Sequence, residues 1–254
     1  MGELLRDHPA PGVLRLTLNR PRVRNAISLA LQRELDGALA AVENDDSTRA
    51  VIVAGAGHEA FSAGYDLAEL AELSPRESTD AMLEREELLW RYVTFPKPVV
   101  AAVAGAAHGA GTILASCSDL RVGGPTTRFT VTAARYGGAN LTWLLDNLIG
   151  AGQARDLLMT SRTVDGIEAH RIGLLSRFAE DGDVATVAVG AATELAAQPS
   201  AVLREIKALL LDGVGRDLRA RYDRENYVAR TTLRPRPITD LFAGFFSRAS
   251  VRPR

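Results

Sequence analysis

Two short apolar runs constrain this chain more than any other feature. Ala50-Val51-Ile52-Val53-Ala54 ends in Gly55-Ala56-Gly57, and Lys97-Pro98-Val99-Val100-Ala101-Ala102-Val103 leads into a small-residue stretch from Gly105 to Gly111. Unbroken apolar runs of roughly four to eight residues suit strands covered on both faces, as in a parallel sheet. A helical pattern precedes each run. Ser28 stands as an N-cap for a helix to about Glu43, with Leu31, Leu35, Ala38, Leu39 and Val42 at helical spacing and Asn44-Asp45-Asp46 as its stop. The acidic stretch from Pro75 to about Tyr92 reads as a second helix.

Around these units, Val13 to Leu18 alternates as a half-buried strand does, and Asn19-Arg20-Pro21 ends it. Thr112 to Cys117 reads as a short buried helix, followed by strands at Leu120–Val122 and about Phe129–Val131. From Asn140 the pattern turns almost wholly helical, punctuated by Gly150, Gly166, Gly173, Pro199 and Gly213. The expectation is an α/β core over 1–180 and an α-helical region over 181–254.

Composition excludes several function classes. A formal net charge of -1 gives no global attraction to nucleic acid or an anionic membrane, and 46% hydrophobic with 24% charged residues is ordinary globular usage. No apolar run approaches the roughly 18 residues that span a bilayer. Cys117 is the one cysteine, and the N-terminus lacks the basic and apolar regions of a secretion signal, so a cytoplasmic location is expected. No His, Cys and carboxylate cluster has metal spacing.

The chemistry should lie in two loops, Phe61-Ser62-Ala63-Gly64-Tyr65-Asp66-Leu67 and Gly105-Ala106-Ala107-His108-Gly109-Ala110-Gly111. Small residues let backbone approach a ligand closely, and two amides converging on one oxygen would make an oxyanion hole. Ala60 to Gly64 is similar to a nucleophile elbow with its first glycine replaced, yet seven residues separate Ala54 from Ser62, too many for a strand running straight into the serine. The paired glycines give only fragments of a dinucleotide fingerprint, without the third glycine.

At this point the sequence resembles the crotonase superfamily, also called the enoyl-CoA hydratase/isomerase family. The likeness runs through LTLNRPRVRNAIS (Leu16–Ser28), RAVIVAGAGHEAFSAGYDLAEL (Arg49–Leu70), KPVVAAVAGAAHGAGTILASCSDLRV (Lys97–Val122) and the weaker TVDGIEAHRIGLLSRF (Thr163–Phe178). It implies a spiral of ββα units and an acyl-CoA thioester as partner, with coenzyme A part of the substrate and no separate cofactor. The oxyanion donors it implies are the backbone N–H groups of Tyr65 and Ala110, where the family usually has alanine and glycine. Arg22, Arg24 and Ala26 would cup the adenine and pyrophosphate end, with the backbone at Ala63 and Leu67 flanking the adenine.

The same resemblance locates the two hydratase glutamates at Ile113 and Ala133, neither of which carries a proton. Without them, hydration should be negligible. An oxyanion hole in an apolar pocket remains, which suits a decarboxylase or isomerase acting through an enolate. The alternative is a non-catalytic acyl-CoA-binding protein, and Ala134-Arg135-Tyr136-Gly137 is similar to the corresponding segment of such members. His108, Asn140, Arg135 and Tyr136 are candidate polar contacts, Asp66 a loop organiser, and Glu69, Glu86 and Glu87 carboxylates within possible reach. The stripe Leu241, Phe242, Phe245, Phe246 and the family's habit point to a homotrimer or hexamer, with Arg248 a candidate for the coenzyme A phosphates.

Overall fold

The computed structural model describes residues 2–132, 134–136 and 139–213. The chain divides into two compact units, Met1–Leu203 and Arg204–Arg254. Ala133, Gly137 and the tail residues Leu241, Phe242, Phe245, Phe246 and Arg248 lie outside the described residues.

The first unit opens with an antiparallel hairpin of β1 (Leu4–Ala10) and β2 (Val13–Leu18), followed by α1 (Leu29–Val42). Three strand pairs come next. They are β3 (Ala50–Gly55) with β4 (Ala60–Ser62), then helices α2 (Leu67–Glu72) and α3 (Pro75–Thr94); β5 (Val99–Val103) with β6 (Ala106–His108), then α4 (Ala110–Ser116); and β7 (Leu120–Gly123) with β8 (Arg128–Thr130), then a 3₁₀ turn at Ala134–Tyr136. The chain continues through α5 (Leu145–Ile149), α6 (Ala151–Thr160), β9 (Thr163–Asp165), α7 (Gly166–Arg171), β10 (Arg177–Phe178), α8 (Val184–Ala196) and α9 (Ser200–Asp212).

Each pair sends its first strand to a six-stranded sheet of order β1-β2-β3-β5-β7-β10 and its second to a four-stranded sheet of order β4-β6-β8-β9. Repeating that step winds the chain into the expected spiral of ββα units. Gly105 stands at the corner between β5 and β6 with φ +71°, where a Cβ would collide with the Glu59 carbonyl. Only glycine accommodates both the positive φ and the close approach.

Burial explains the unbroken apolar runs. Val51, Ile52 and Val53 of β3 run parallel to Val99, Val100 and Ala101 of β5, and all six are at most 1% exposed. One face is covered by an alanine stripe of α8, with Ala188, Ala191, Ala192 and Ala196 clustered against Val13, Ile52, Val100 and Val122. This helix begins past residue 180 and belongs to the first compact unit. The expected N-cap at Ser28 is present, its side chain accepting from Leu31 N–H, and Ser74 caps α3 in a reciprocal arrangement with Glu77.

Several strands contradict the sequence expectation. The sequence places residues of β4 and β6 in loops and does not indicate β1, and β9 and β10 interrupt a region expected to be almost wholly helical. Four of these five span at most three residues, too few to express a period of two, and they are strands only because distant segments pair with them.

The turn from β2 into α1 rests on Asn25, which is 1% exposed. Arg24 and Asn25 both hold positive φ, 51° and 55°. The Asn25 side-chain amide donates to the carbonyls of Ala56 (3.0 Å) and Ala60 (2.8 Å), and its oxygen accepts from Arg20 N–H (3.1 Å). This ties the turn to the entry of β4, and Arg24 carbonyl then accepts from Ala63 N–H at 2.9 Å. Asn25→Ala should destabilise the chain by about 2–4 kcal/mol in urea unfolding, because it strands buried backbone groups. Asn25→Gly, which relaxes the positive φ yet loses the same bonds, should remain clearly destabilised. Equal stability of Asn25→Gly and the parent would contradict this account.

Candidate functional site

Parallel pairing of β4 with β6, and of β6 with β8, brings the two small-residue loops side by side. At their junction Gly64 has φ +97°, and a Cβ there would lie 2.9 Å from the His108 carbonyl oxygen and 3.3 Å from Ala110 N. The loops therefore touch backbone to backbone. Gly109 N–H donates to the Thr130 carbonyl (3.0 Å), and the Thr112 hydroxyl donates to the carbonyl of Ala107 (2.6 Å), which fixes the second loop.

The direction of the Tyr65 amide follows from its neighbours. Ile27 N–H donates to the Gly64 carbonyl (2.7 Å) and Asp66 N–H to the Ile27 carbonyl (3.1 Å), a single parallel bridge centred on Tyr65. Successive peptide groups of extended backbone point to opposite sides, so the Tyr65 N–H faces away from Ile27. Ala110 N–H belongs to the first residue of α4 and has no intrahelical acceptor. Among the described residues, neither N–H has a protein acceptor.

Both amide groups belong to residues lining an open cleft of about 540 Å³. Of the residues singled out in the sequence, Arg24, Ala63, Tyr65, Leu67, His108, Ala110, Ile113, Tyr136 and Asn140 border it. Arg22 and Ala26 are not among its lining. Arg22 is exposed, whereas Ala26 is buried and its carbonyl accepts from the Arg20 guanidinium at 2.8 Å. Arg135 also turns elsewhere, donating to the Ser161 carbonyl at 2.9 Å. The described lining contains no Asp or Glu. Its walls include Leu70 and Met82 from α2 and α3, and the hydroxyl residue Thr132, none of which the sequence reading identified.

Burial sets the chemistry of the polar groups. It pushes the His108 imidazole below the ordinary histidine range, and the positive charges of Arg135 and Arg24 act in the same direction. His108 is therefore neutral at physiological pH. Burial raises the Tyr65 phenol, with Arg85 pulling the other way, so the ring keeps its proton. The Cys117 thiol is pushed up to about 12 by burial, which removes it as a nucleophile.

Support for the first loop comes from charges around it. Asp66 caps α2, accepting from Ala68 N–H (3.1 Å) and Glu69 N–H (3.3 Å), and pairs with Arg20 at 2.7 Å. The Arg20 hydrogen bond holds the Asp66 carboxyl below its usual range. Glu69 faces Arg85 at 2.5 Å and also accepts from Leu29 N–H at 3.0 Å. Arg85 is 1% exposed, its guanidinium 4.4 Å from the centroid of the Tyr65 ring. The signal for this residue was present in the sequence: Ala81, Arg85, Leu88 and Tyr92 share one helical stripe, in which arginine is the exception.

A model of the enoyl-CoA hydratase/isomerase family matches residues 9–236. The chain is 30% identical over 257 residues to 1,2-epoxyphenylacetyl-CoA isomerase of Escherichia coli, covering 98% of each protein, so the likeness includes the whole fold. It is 30% identical to short-chain-enoyl-CoA hydratase of Clostridium acetobutylicum, over 80% of this chain and 79% of that one. A crystal structure of enoyl-CoA hydratase from Bacillus anthracis superposes with a TM-score of 0.89 at 27% identity, covering 97% of both chains. A family match across both strand–loop units and nearly full-length relatives together establish that this chain belongs to the enoyl-CoA hydratase/isomerase family.

Proposed function

We propose that the chain binds an acyl-CoA thioester in this cleft with the thioester oxygen between the N–H groups of Tyr65 and Ala110, and that it does not hydrate enoyl-CoA. The observation that carries the first part is that the two loops touch directly and that, among the described residues, neither amide group has a protein acceptor. Ile113 on the cleft wall and the lack of Asp or Glu in its described lining support the second. Hydration needs a base for water and an acid for the α-carbon, each worth about 10²- to 10⁴-fold.

An enolate-forming reaction fits what remains. In decarboxylation of a malonyl-type thioester, the bond from the α-carbon to the carboxylate breaks and its electron pair passes into the enolate. Carbon dioxide leaves, and water returns a proton to the α-carbon. Each backbone donor aimed at the enolate oxygen is worth about 3–4 kcal/mol of transition-state stabilisation. An isomerase route uses the neutral imidazole of His108 to take a proton from the substrate and return it at another carbon, with Asn140 and Thr132 as polar contacts. The same lack of Asp or Glu in the described lining also fits a protein that binds acyl-CoA without turnover.

Arg24, Ala63 and Leu67 are assigned to the coenzyme A portion, which enters as part of the substrate; no other cofactor is invoked. Assembly as a homotrimer or hexamer belongs to the same reading; the exposed Leu83, Trp90 and Trp143 are apolar surface that self-association would cover. A cytoplasmic site of action accompanies this reading.

Mass-spectrometric incubation with malonyl-type and enoyl thioesters tests the reaction. Loss of carbon dioxide from the former with no hydration of crotonyl-CoA is expected, whereas ready hydration would refute the proposal. Gly64→Ala should force the loops apart and weaken acyl-CoA binding by about tenfold or more, since positive φ and crowding both oppose the methyl group. On the isomerase route, the lowered pKa of His108 keeps the basic form into acid. Activity should then be level around neutrality and fall only below pH 6.5, with His108→Ala removing it. A loss centred at or above pH 6.5 would rule out His108 as the base.

A further inference from the structure

Behind the cleft lies a second, apolar cavity of about 20 Å³, bordered by Leu18, Leu31, Leu35, Leu89 and Leu114. This is room for roughly one water-sized group. Tyr65, Ala110 and Ile113 line both the cleft and the cavity, and so form the wall between them. Beyond it a cavity of the same size, sharing Leu35, Leu89 and Leu114, continues along α1 and α3 towards Leu39 and Tyr92. A mainly apolar seam thus leads away from Tyr65 and Ala110, with Gln32 bordering both of its parts and Asp36 its far end.

Of the three wall residues, Tyr65 alone has a large aromatic side chain, and it is held in place. The Arg85 guanidinium stacks on the ring at 4.4 Å and is itself fixed by Glu69 (2.5 Å), the Gln32 side-chain oxygen (3.1 Å) and the Ile27 carbonyl (3.4 Å). Swinging the ring aside would also uncover a buried guanidinium, which opposes opening.

We infer that the Tyr65 ring determines acyl-chain specificity, closing the apolar seam and restricting the acyl subsite to short groups. This rests on the acyl-CoA reading above and adds a limit on its substrate. The same residue therefore has two parts: its amide faces the thioester oxygen, and its ring sets how far the acyl group extends. Arg85 is the positioning residue for that ring.

Isothermal titration with acetyl-, butyryl-, hexanoyl- and octanoyl-CoA tests the assignment. In the parent chain, affinity should stop rising after the shortest groups. Tyr65→Ala should join cleft and seam and raise the octanoyl-to-acetyl affinity ratio by roughly tenfold or more, given about fourfold per buried methylene. Adding Leu35→Phe should refill the seam and return the ratio towards the parent's. A steady gain per methylene in the parent would overturn the inference without need of any variant. So would an unchanged ratio in Tyr65→Ala that still binds acetyl-CoA. Failure of the parent to bind any of the four thioesters would instead refute the acyl-CoA reading, and this inference with it.

Discussion

The backbone contact between Gly64 and the His108–Ala110 segment is the constraint on which the site depends. It exists because β4 and β6 pair in parallel, and those strands pair because β3 and β5, buried on both faces, run side by side beneath them. A residue with a Cβ at position 64 would contact the His108 carbonyl at 2.9 Å while holding a φ that side chains disfavour. The aligned strands bring the loops together, and the missing side chain lets them touch. Two amide groups separated in the chain by 45 positions, 65 and 110, thereby border one cleft. Backbone donors tolerate changes of side chain, so tyrosine and alanine at these positions alter the shape of the pocket while leaving the donors in place.

Charges around the first loop are paired with one another and with backbone. Arg20 joins Glu3, Asp66 and the Ala26 carbonyl, and Arg85 joins Glu69, Gln32 and the Tyr65 ring. A guanidinium is suited to this work because its planar fork serves several acceptors at once and its face stacks on an aromatic ring. The carboxylates near the cleft are thus engaged: Asp66 caps a helix and Glu69 compensates a buried cation. Among the described residues, the polar side chains lining the cleft include the guanidinium of Arg24, the neutral His108, the amide of Asn140 and the hydroxyls of Thr132 and Tyr136. Such a lining suits the stabilisation of negative charge that a substrate develops, and its described residues include no Asp or Glu.

Much of this was legible in the sequence because the signals were local. The run from Val51 to Val53, the cap at Ser28 with its apolar stripe, and the glycines of the two loops each reflect a conformation fixed within a few residues; their order gave an α/β core, and the ββα spiral came from the family resemblance. Strands β4 and β6 were read as loop because three residues carry no period and their pairing partners lie far away in the chain. The place of Arg22, exposed and off the cleft, and the turning of Arg135 towards Ser161 depend on side-chain directions that spacing does not encode. Arg85 shows the reverse case. Its position in the apolar stripe of α3 was visible, but its role depended on meeting Tyr65, twenty residues earlier and on another element.

Infrared difference spectroscopy with a ¹³C-labelled thioester carbonyl can report whether the thioester oxygen sits between the Tyr65 and Ala110 amide groups. Two converging donors polarise the carbonyl, so its stretch should move to lower frequency on binding than in water, and Gly64→Ala should reduce that displacement. A bound thioester whose carbonyl frequency matches that of the free ligand in water would contradict the account.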